Sequence, residues 1–126
     1  EKAFGQVRTG ANSYASIEGG WMTEVATALG KNSTTTYNTT DLVSVIKSAL
    51  EAGKSVTYGA NTPTDGAPLI GSHAYTVDRV NTDGTVTLRN PWAVDGVGHD
   101  NANDGYVTVT AAQLKNAMIG LVIANV

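Results

Sequence analysis

The spacing of apolar residues changes near residue 53. Before it, apolar positions recur every three to four residues; after it, they alternate with polar ones. Leu42, Val45, Ile46, Ala49 and Leu50 fall at i, i+3, i+4, i+7 and i+8, and this core-facing stripe predicts a helix over residues 41–52. Thr40 stands where it can cap that helix, Asp41 suits the positive end of its dipole, and Gly53 can end it. A shorter stripe of Trp21, Val25, Ala28 and Leu29 predicts a helix stopped by Gly30. Residues 1–9 read as the tail of a helix, residues 10–20 as a connecting segment, and the Thr/Asn-rich residues 31–40 as a loop or an edge strand.

The period of two predicts strands over residues 55–60, 73–80, 85–90, 106–109 and 121–126. Pro63, Asp65-Gly66, Pro68 and Gly71 make residues 61–71 a loop. Asp83-Gly84 marks a hairpin turn, and Pro91, with no amide proton to donate, ends the ladder. Residues 93–105 are a Gly/Asp/Asn-rich loop. Thr110 with Gln113 forms a capping box that opens a short helix to about Met118. Helices followed by a run of antiparallel strands predict an α+β class rather than a doubly wound sheet.

At 126 residues the chain is one domain, long enough to bury a core without staples. Its formal charge of −3 and scattered basic residues argue against a nucleic-acid surface, which needs clustered Lys and Arg. No apolar run approaches the roughly 20 residues of a membrane span. The start at Glu1 carries neither Met nor a signal-peptide pattern, so the chain reads as cut from something longer and its compartment stays open. Asn32-Ser33-Thr34 and Asn38-Thr39-Thr40 match the glycosylation triplet, a pattern that arises readily by chance in an Asn/Thr-rich chain. The chain has no cysteine, which removes disulfides, thiolate metal sites and a thiol nucleophile together.

The hairpin of residues 73–90 carries candidate chemistry. A loop of two or four residues makes paired positions sum to an odd number, and side chains alternate between faces. His73, Tyr75 and Val77 then share a face with Val86, Leu88, Asn90 and Trp92; Ala74, Thr76, Asp78, Thr85, Thr87 and Arg89 take the other. With Val80 opposite Thr85, His73 opposes Trp92 and lies diagonal to Asn90, within side-chain reach. An Asn carbonyl can fix the ring of a His general base, with a Trp shielding the bond. Geometry alone leaves two readings open: a catalytic pair, or a satisfied histidine beside a strand-ending Asn.

Gly71-Ser72-His73-Ala74-Tyr75-Thr76-Val77 followed by Leu88-Arg89-Asn90-Pro91-Trp92 resembles the calpain-type cysteine proteases, with their Gly-His-Ala-Tyr and Arg-Asn-Pro-Trp-Gly strands. Glu1-Lys2-Ala3-Phe4, Gly10 to Tyr14 and Ile17-Glu18-Gly19-Gly20 resemble the opening of the second half of the calpain core. Asp104-Gly105-Tyr106 and Thr110-Ala111-Ala112-Gln113-Leu114 resemble its close, so the likeness runs the length of the chain. It implies the antiparallel, barrel-like half of a papain-like fold with a few flanking helices. It also implies a partner, the Cys-bearing first lobe, and a protein or peptide substrate. By the resemblance His73 is the base for the thiolate, Asn90 its orienter and Trp92 the cover over their bond. Ser72 and Ala93 stand where the family usually has glycine.

Calpain cores bind calcium in each lobe, and Asp95, Asp100 and Asp104, with Asn101 and Asn103, offer oxygen donors in the loop after Trp92. EF-hand spacing is absent, and a plain Asn-Asp-Gly turn accounts for the same residues. The expectation is half of a Cys-His-Asn endopeptidase, inactive alone for want of its cysteine. The alternative is a non-catalytic calpain-like domain that binds or regulates a protein partner.

Overall fold

The computed structural model describes residues 22–38, 40–96 and 102–125, and only the backbone of Val25. The expected helix tail at residues 1–9, the connecting segment 10–20, Trp21, His99, Asp100 and Asn101 lie outside the described residues.

The described chain is α+β. In order come α1 (Glu24–Ala28), β1 (Ser33–Thr36), α2 (Leu42–Glu51), β2 (Ser55–Ala60), β3 (His73–Val80), β4 (Val86–Arg89), β5 (Tyr106–Val109), α3 (Ala111–Ala117) and β6 (Met118–Ala124). All strand pairs are antiparallel, in the order β1-β6-β2-β3-β4-β5. Among the described residues the sheet is open, with β1 and β5 at its edges, rather than closed into a barrel. No helix among the described residues is long and apolar enough to cross a membrane.

One face of the sheet carries the core. Val56, Tyr58, Tyr75, Val77, Val86, Leu88, Val107, Val109 and Leu121 come from alternate strand positions and meet Leu42, Ile46 and Ala49 of α2 and Leu114 and Ala117 of α3. Tyr58, fully buried, donates its hydroxyl to the Leu114 carbonyl at 2.7 Å. Burial pushes this phenol's pKa well up, because a phenolate there would lose its solvation.

Where the helices differ from the pattern, local backbone is the reason. Asp41, not Thr40, is the N-cap residue of α2; it takes a left-handed φ of 52° and makes no side-chain cap bond. Val45 stays 40 % exposed, so the buried stripe is narrower than its spacing predicts. In α1 it is Ala26 that is buried, while Leu29 is 69 % exposed beyond the helix end. Gly30 and Gly53 end α1 and α2 with positive φ, and the next amides, of Lys31 and Lys54, reach back to the carbonyls of Ala26 and Ala49. The capping box of Thr110 and Gln113 forms as its spacing requires. β6 begins at Met118, three residues before its predicted start, because Ile119 is bulged out: Gly59 pairs with Gly120 while Ala60 pairs with Met118.

The β3–β4 hairpin departs from the expected register twice, and the departures cancel. Its loop is three residues, Thr82-Asp83-Gly84, with the Asn81 amide donating to Thr85 at 2.8 Å and the Gly84 amide to Asn81 at 3.0 Å. Gly84 supplies the positive φ of 84° that such a loop requires. Val80 therefore opposes Val86, not Thr85, and the paired numbers sum to an even value. Asp78 is then bulged between Val77 and Arg79, which restores Val77 opposite Leu88 and Thr76 opposite Arg89. The bulge also turns Arg79 outward, where it pairs with Asp78 at 2.5 Å. Arg89 lies elsewhere, its guanidinium 5.9 Å from the centre of the Tyr106 ring. Thr87, on the face opposite Val86 and Leu88, is buried as well, accepting from Asn81 Nδ2 at 3.0 Å.

Asp78 is the surplus residue, so deleting it is expected to leave Val77 opposite Leu88 and Arg79 opposite Thr87 as neighbouring rungs. Cross-strand nuclear Overhauser contacts for both pairs should persist; their loss would show that the bulge is not where the ladder places it.

Candidate active site

His73 opens β3, and the loop before it is tied down on both sides. Ala67 and Leu69 are buried, and the Ile70 amide donates to the Tyr75 hydroxyl at 2.9 Å. Gly71 lies so close to the next loop turn that a Cβ there would sit 3.0 Å from Thr62 Cα. The chain then enters the strand through Ser72 at a φ of 52°. Ala93, just past Trp92, has a φ of 61°. The two positions at which the resembling family carries glycine are thus both left-handed in this chain. Left-handed backbone costs a residue with a Cβ about 1–2 kcal/mol.

The half-buried imidazole of His73 meets the fully buried Asn90 across the end of the hairpin, Nε2 to Oδ1 at 2.8 Å. The proton on that bond is assigned by the rest of the network. Asn90 Oδ1 also accepts the Trp92 amide at 3.1 Å, and Asn90 Nδ2 donates to the Asp95 carbonyl at 3.4 Å. The amide oxygen therefore faces His73, and Nε2 must be the donor. In the neutral ring this leaves the lone pair on Nδ1, which has no hydrogen-bond partner among the described residues.

Two aromatic rings fix the imidazole plane. Tyr75 stands edge-on to it at 5.0 Å between centroids, and Trp92 lies against it at 4.4 Å with 47° between planes. Trp92 remains 58 % exposed, so it shields one side of the imidazole and keeps a broad apolar surface in solvent. Burial raises the Tyr75 pKa, keeping its hydroxyl neutral as it accepts the Ile70 amide. The structure thus brings together His73, Asn90 and Trp92, the three residues singled out in the hairpin.

Of the three aspartates of the following loop, Asp95 and Asp104 are described, and each accepts a backbone amide. Asp95 is fully buried, with Oδ1 accepting the Gly105 amide at 2.7 Å. Asp104 is exposed, its Oδ1 accepting the Tyr106 amide at 2.9 Å. Asn103 Oδ1 accepts the Asp95 amide at 2.7 Å, and Asp100 lies outside the described residues. Among the described residues no three His, Cys, Asp or Glu side chains converge as metal ligands. Calcium takes six to eight oxygens, whereas Asp95 Oδ1, Asn103 Oδ1 and Asp104 Oδ1 each accept a backbone amide.

Spacing alone missed Asp95 as a hydrogen-bonding hub and Tyr75 as a clamp on the preceding loop. Tyr75 had a visible signal, a phenol on the His73 face; Asp95 had none, since its partner lies ten residues away across an irregular loop. No model of a known protein family matches this chain, and no curated protein sequence matches it.

Two outcomes follow. Ser72→Gly and Ala93→Gly should each stabilise the chain by about 0.5–1 kcal/mol, the left-handed strain relieved less the added entropy of the unfolded glycine. A urea midpoint that falls in both variants would contradict the strained geometry. In 15N spectra of the neutral imidazole, Nε2 should carry the proton in the parent chain. Asn90→Ala should remove that preference and cost about 1–3 kcal/mol, since a buried donor loses its acceptor.

Proposed function

We propose that the chain is the His/Asn half of a calpain-like, papain-fold cysteine endopeptidase, whose nucleophilic cysteine is carried by a separate first lobe. The observation that carries this reading is the His73 Nε2–Asn90 Oδ1 bond of 2.8 Å, with the Trp92 ring against the imidazole. An imidazole held through Nε2 by a neutral amide has one free nitrogen with a lone pair and a fixed direction. That is what activation of a thiol requires. An amide orients the ring while leaving it free to take up a proton and become a cation. The antiparallel sheet, with His73 opening one strand and Asn90 directly following its neighbour, also suits the second lobe of such a fold.

His73 Nδ1 takes the proton of the first-lobe thiol, leaving a thiolate beside an imidazolium. The thiolate sulfur attacks the peptide carbonyl carbon and its π electrons move to oxygen. Collapse of the tetrahedral species breaks the C–N bond, and the leaving amine takes the proton from Nδ1. A water then gives its proton to Nδ1 as its oxygen attacks the thioester. The second collapse releases the carboxylic acid, and the thiolate recovers the proton from Nδ1. Asn90 holds the ring through these transfers, and Trp92 keeps water from one side of it.

This chain, with no cysteine, is expected to cleave nothing alone. Joined to a Cys-bearing calpain-type first lobe, it should hydrolyse a fluorogenic peptide. His73→Ala should lower kcat by at least about a hundredfold, the contribution of a general base, with Asn90→Ala intermediate. If a complex that demonstrably forms shows no turnover with the parent chain, the protease reading is overturned. The alternative, a binding or regulatory domain, would then account for the complex.

A further inference from the structure

The loop after Trp92 contains an arrangement that neither the thiol chemistry nor a metal explains. Asp95 is fully buried and touches the candidate site through three groups. Its carbonyl accepts Asn90 Nδ2 at 3.4 Å. Its Oδ1 accepts the Gly105 amide at 2.7 Å, and the Gly105 carbonyl in turn accepts the Asn90 amide at 2.7 Å. Its own amide donates to Asn103 Oδ1 at 2.7 Å. Asp95 and Gly105 together thus hold both nitrogens of Asn90, the main-chain one and the side-chain one. Gly105 has no room to move: with a φ of 85°, a Cβ on it would lie 2.8 Å from the Ala93 carbonyl carbon.

We propose that Asp95 is a positioning residue for the His73–Asn90 pair. Its carboxylate clips the two ends of the 95–105 loop together, and the clip sets the direction of the Asn90 amide. A primary amide can rotate by half a turn and present NH2 to His73, which would oppose the Nε2 proton with another donor. The 3.4 Å bond to the Asp95 carbonyl is the contact that favours one orientation from the nitrogen side, and it is long. It therefore depends on the carbonyl being held in place, and the Oδ1–Gly105 bond is what holds it. Oδ2 is buried with no hydrogen-bond partner among the described residues, so the carboxylate sits there at the cost of an unsatisfied atom. A residue needed only to fill space would not carry that cost. The same side chain is the best described candidate in the loop for a cation ligand. The clip makes it an internal strut instead.

The bearing of this clip on catalysis rests on the protease reading, but its test does not. The experiment compares the parent chain with Asp95→Asn and Asp95→Leu by 15N NMR. The probes are the His73 Nε2–H signal and the Asn90 side-chain NH2 pair, with the Val86 and Leu88 amides reporting the core. Asp95→Asn keeps an oxygen acceptor for Gly105 and should retain the Nε2–H signal. Asp95→Leu keeps the bulk without the acceptor; it should lose the slowly exchanging Nε2–H signal and collapse the NH2 pair toward free-amide shifts while the core signals stay. An unchanged Nε2–H signal in Asp95→Leu would overturn the proposal. Should Asp95→Leu not fold, hydrogen exchange on the parent chain decides: a Gly105 amide protected like the core supports the clip, and one exchanging like an open loop overturns it. Millimolar calcium chloride should move none of these signals in the parent chain; an Asp95-dependent shift would make the residue a ligand and overturn the strut. In the two-lobe enzyme the clip predicts a kcat lowered about tenfold or more in Asp95→Leu, with KM unchanged and Asp95→Asn restoring it. If the NMR effects occur and the complex has no peptidase activity, the clip stands and the protease reading alone falls.

Discussion

Strands show alternate side chains to opposite faces, and everything at this site depends on that parity. His73 and Asn90 come from two strands of one hairpin and meet only if an odd sum governs the pairing at their end. The three-residue loop sets an even sum at Val80 and Val86. Left uncorrected, it would put His73 and Asn90 on opposite sides of the sheet, with Tyr75 on the wrong face as well. The surplus residue Asp78 returns the ladder to the odd sum before the Val77–Leu88 rung. A one-residue slip inverts a whole strand, so the burial of Tyr75, Val77 and Leu88 and the His–Asn contact are secured by the same bulge.

With parity set, the site is built outward from Asn90. Its oxygen faces the imidazole and the Trp92 amide, and its nitrogens are taken by Asp95 and Gly105. Each of these bonds is short-range, but they draw on β3, β4 and the loop leading into β5. A fully buried amide whose oxygen accepts two bonds and whose NH2 donates one has little freedom to reorient. The two left-handed residues, Ser72 and Ala93, lie on either side of this network, where the chain enters the strand before His73 and where it turns away after Trp92. Strain at those two points is tolerated because buried bonds on both sides hold the backbone in place.

Much of this was legible in the residues. The stripe of α2 and the alternation of β2 through β5 are amphipathic patterns that packing satisfied almost unchanged, because each element buries one face against a common core. The capping box at Thr110 is a local device, complete within four residues, and needed nothing from elsewhere. The pairing of His73 with Asn90 was also legible, although the loop length and the ladder assumed for it were each off by one, in opposite senses. The bulge had a trace in the sequence: Val77-Asp78-Arg79-Val80 breaks the alternation with two polar residues in a row. Two charged residues side by side between apolar ones mark the point where both must face solvent.

Local pattern in the sequence by itself determined the α+β class, the order of most elements and the identity of the His, Asn and Trp that meet at the hairpin's end. These follow from periodicity and from short-range turn chemistry, which act over a few residues. Tertiary structure alone decided that the sheet stays open and that β6 begins at a bulged Ile119. It also decided that the two nitrogens of Asn90 meet the carbonyls of Asp95 and Gly105, and that Asp95 and Asp104 accept backbone amides. Those outcomes depend on contacts between segments distant in the chain, or across irregular loops whose course no period encodes. The physical reason is that a hydrogen bond to a main-chain amide is set by where the backbone passes, and that path exists only once the core has closed.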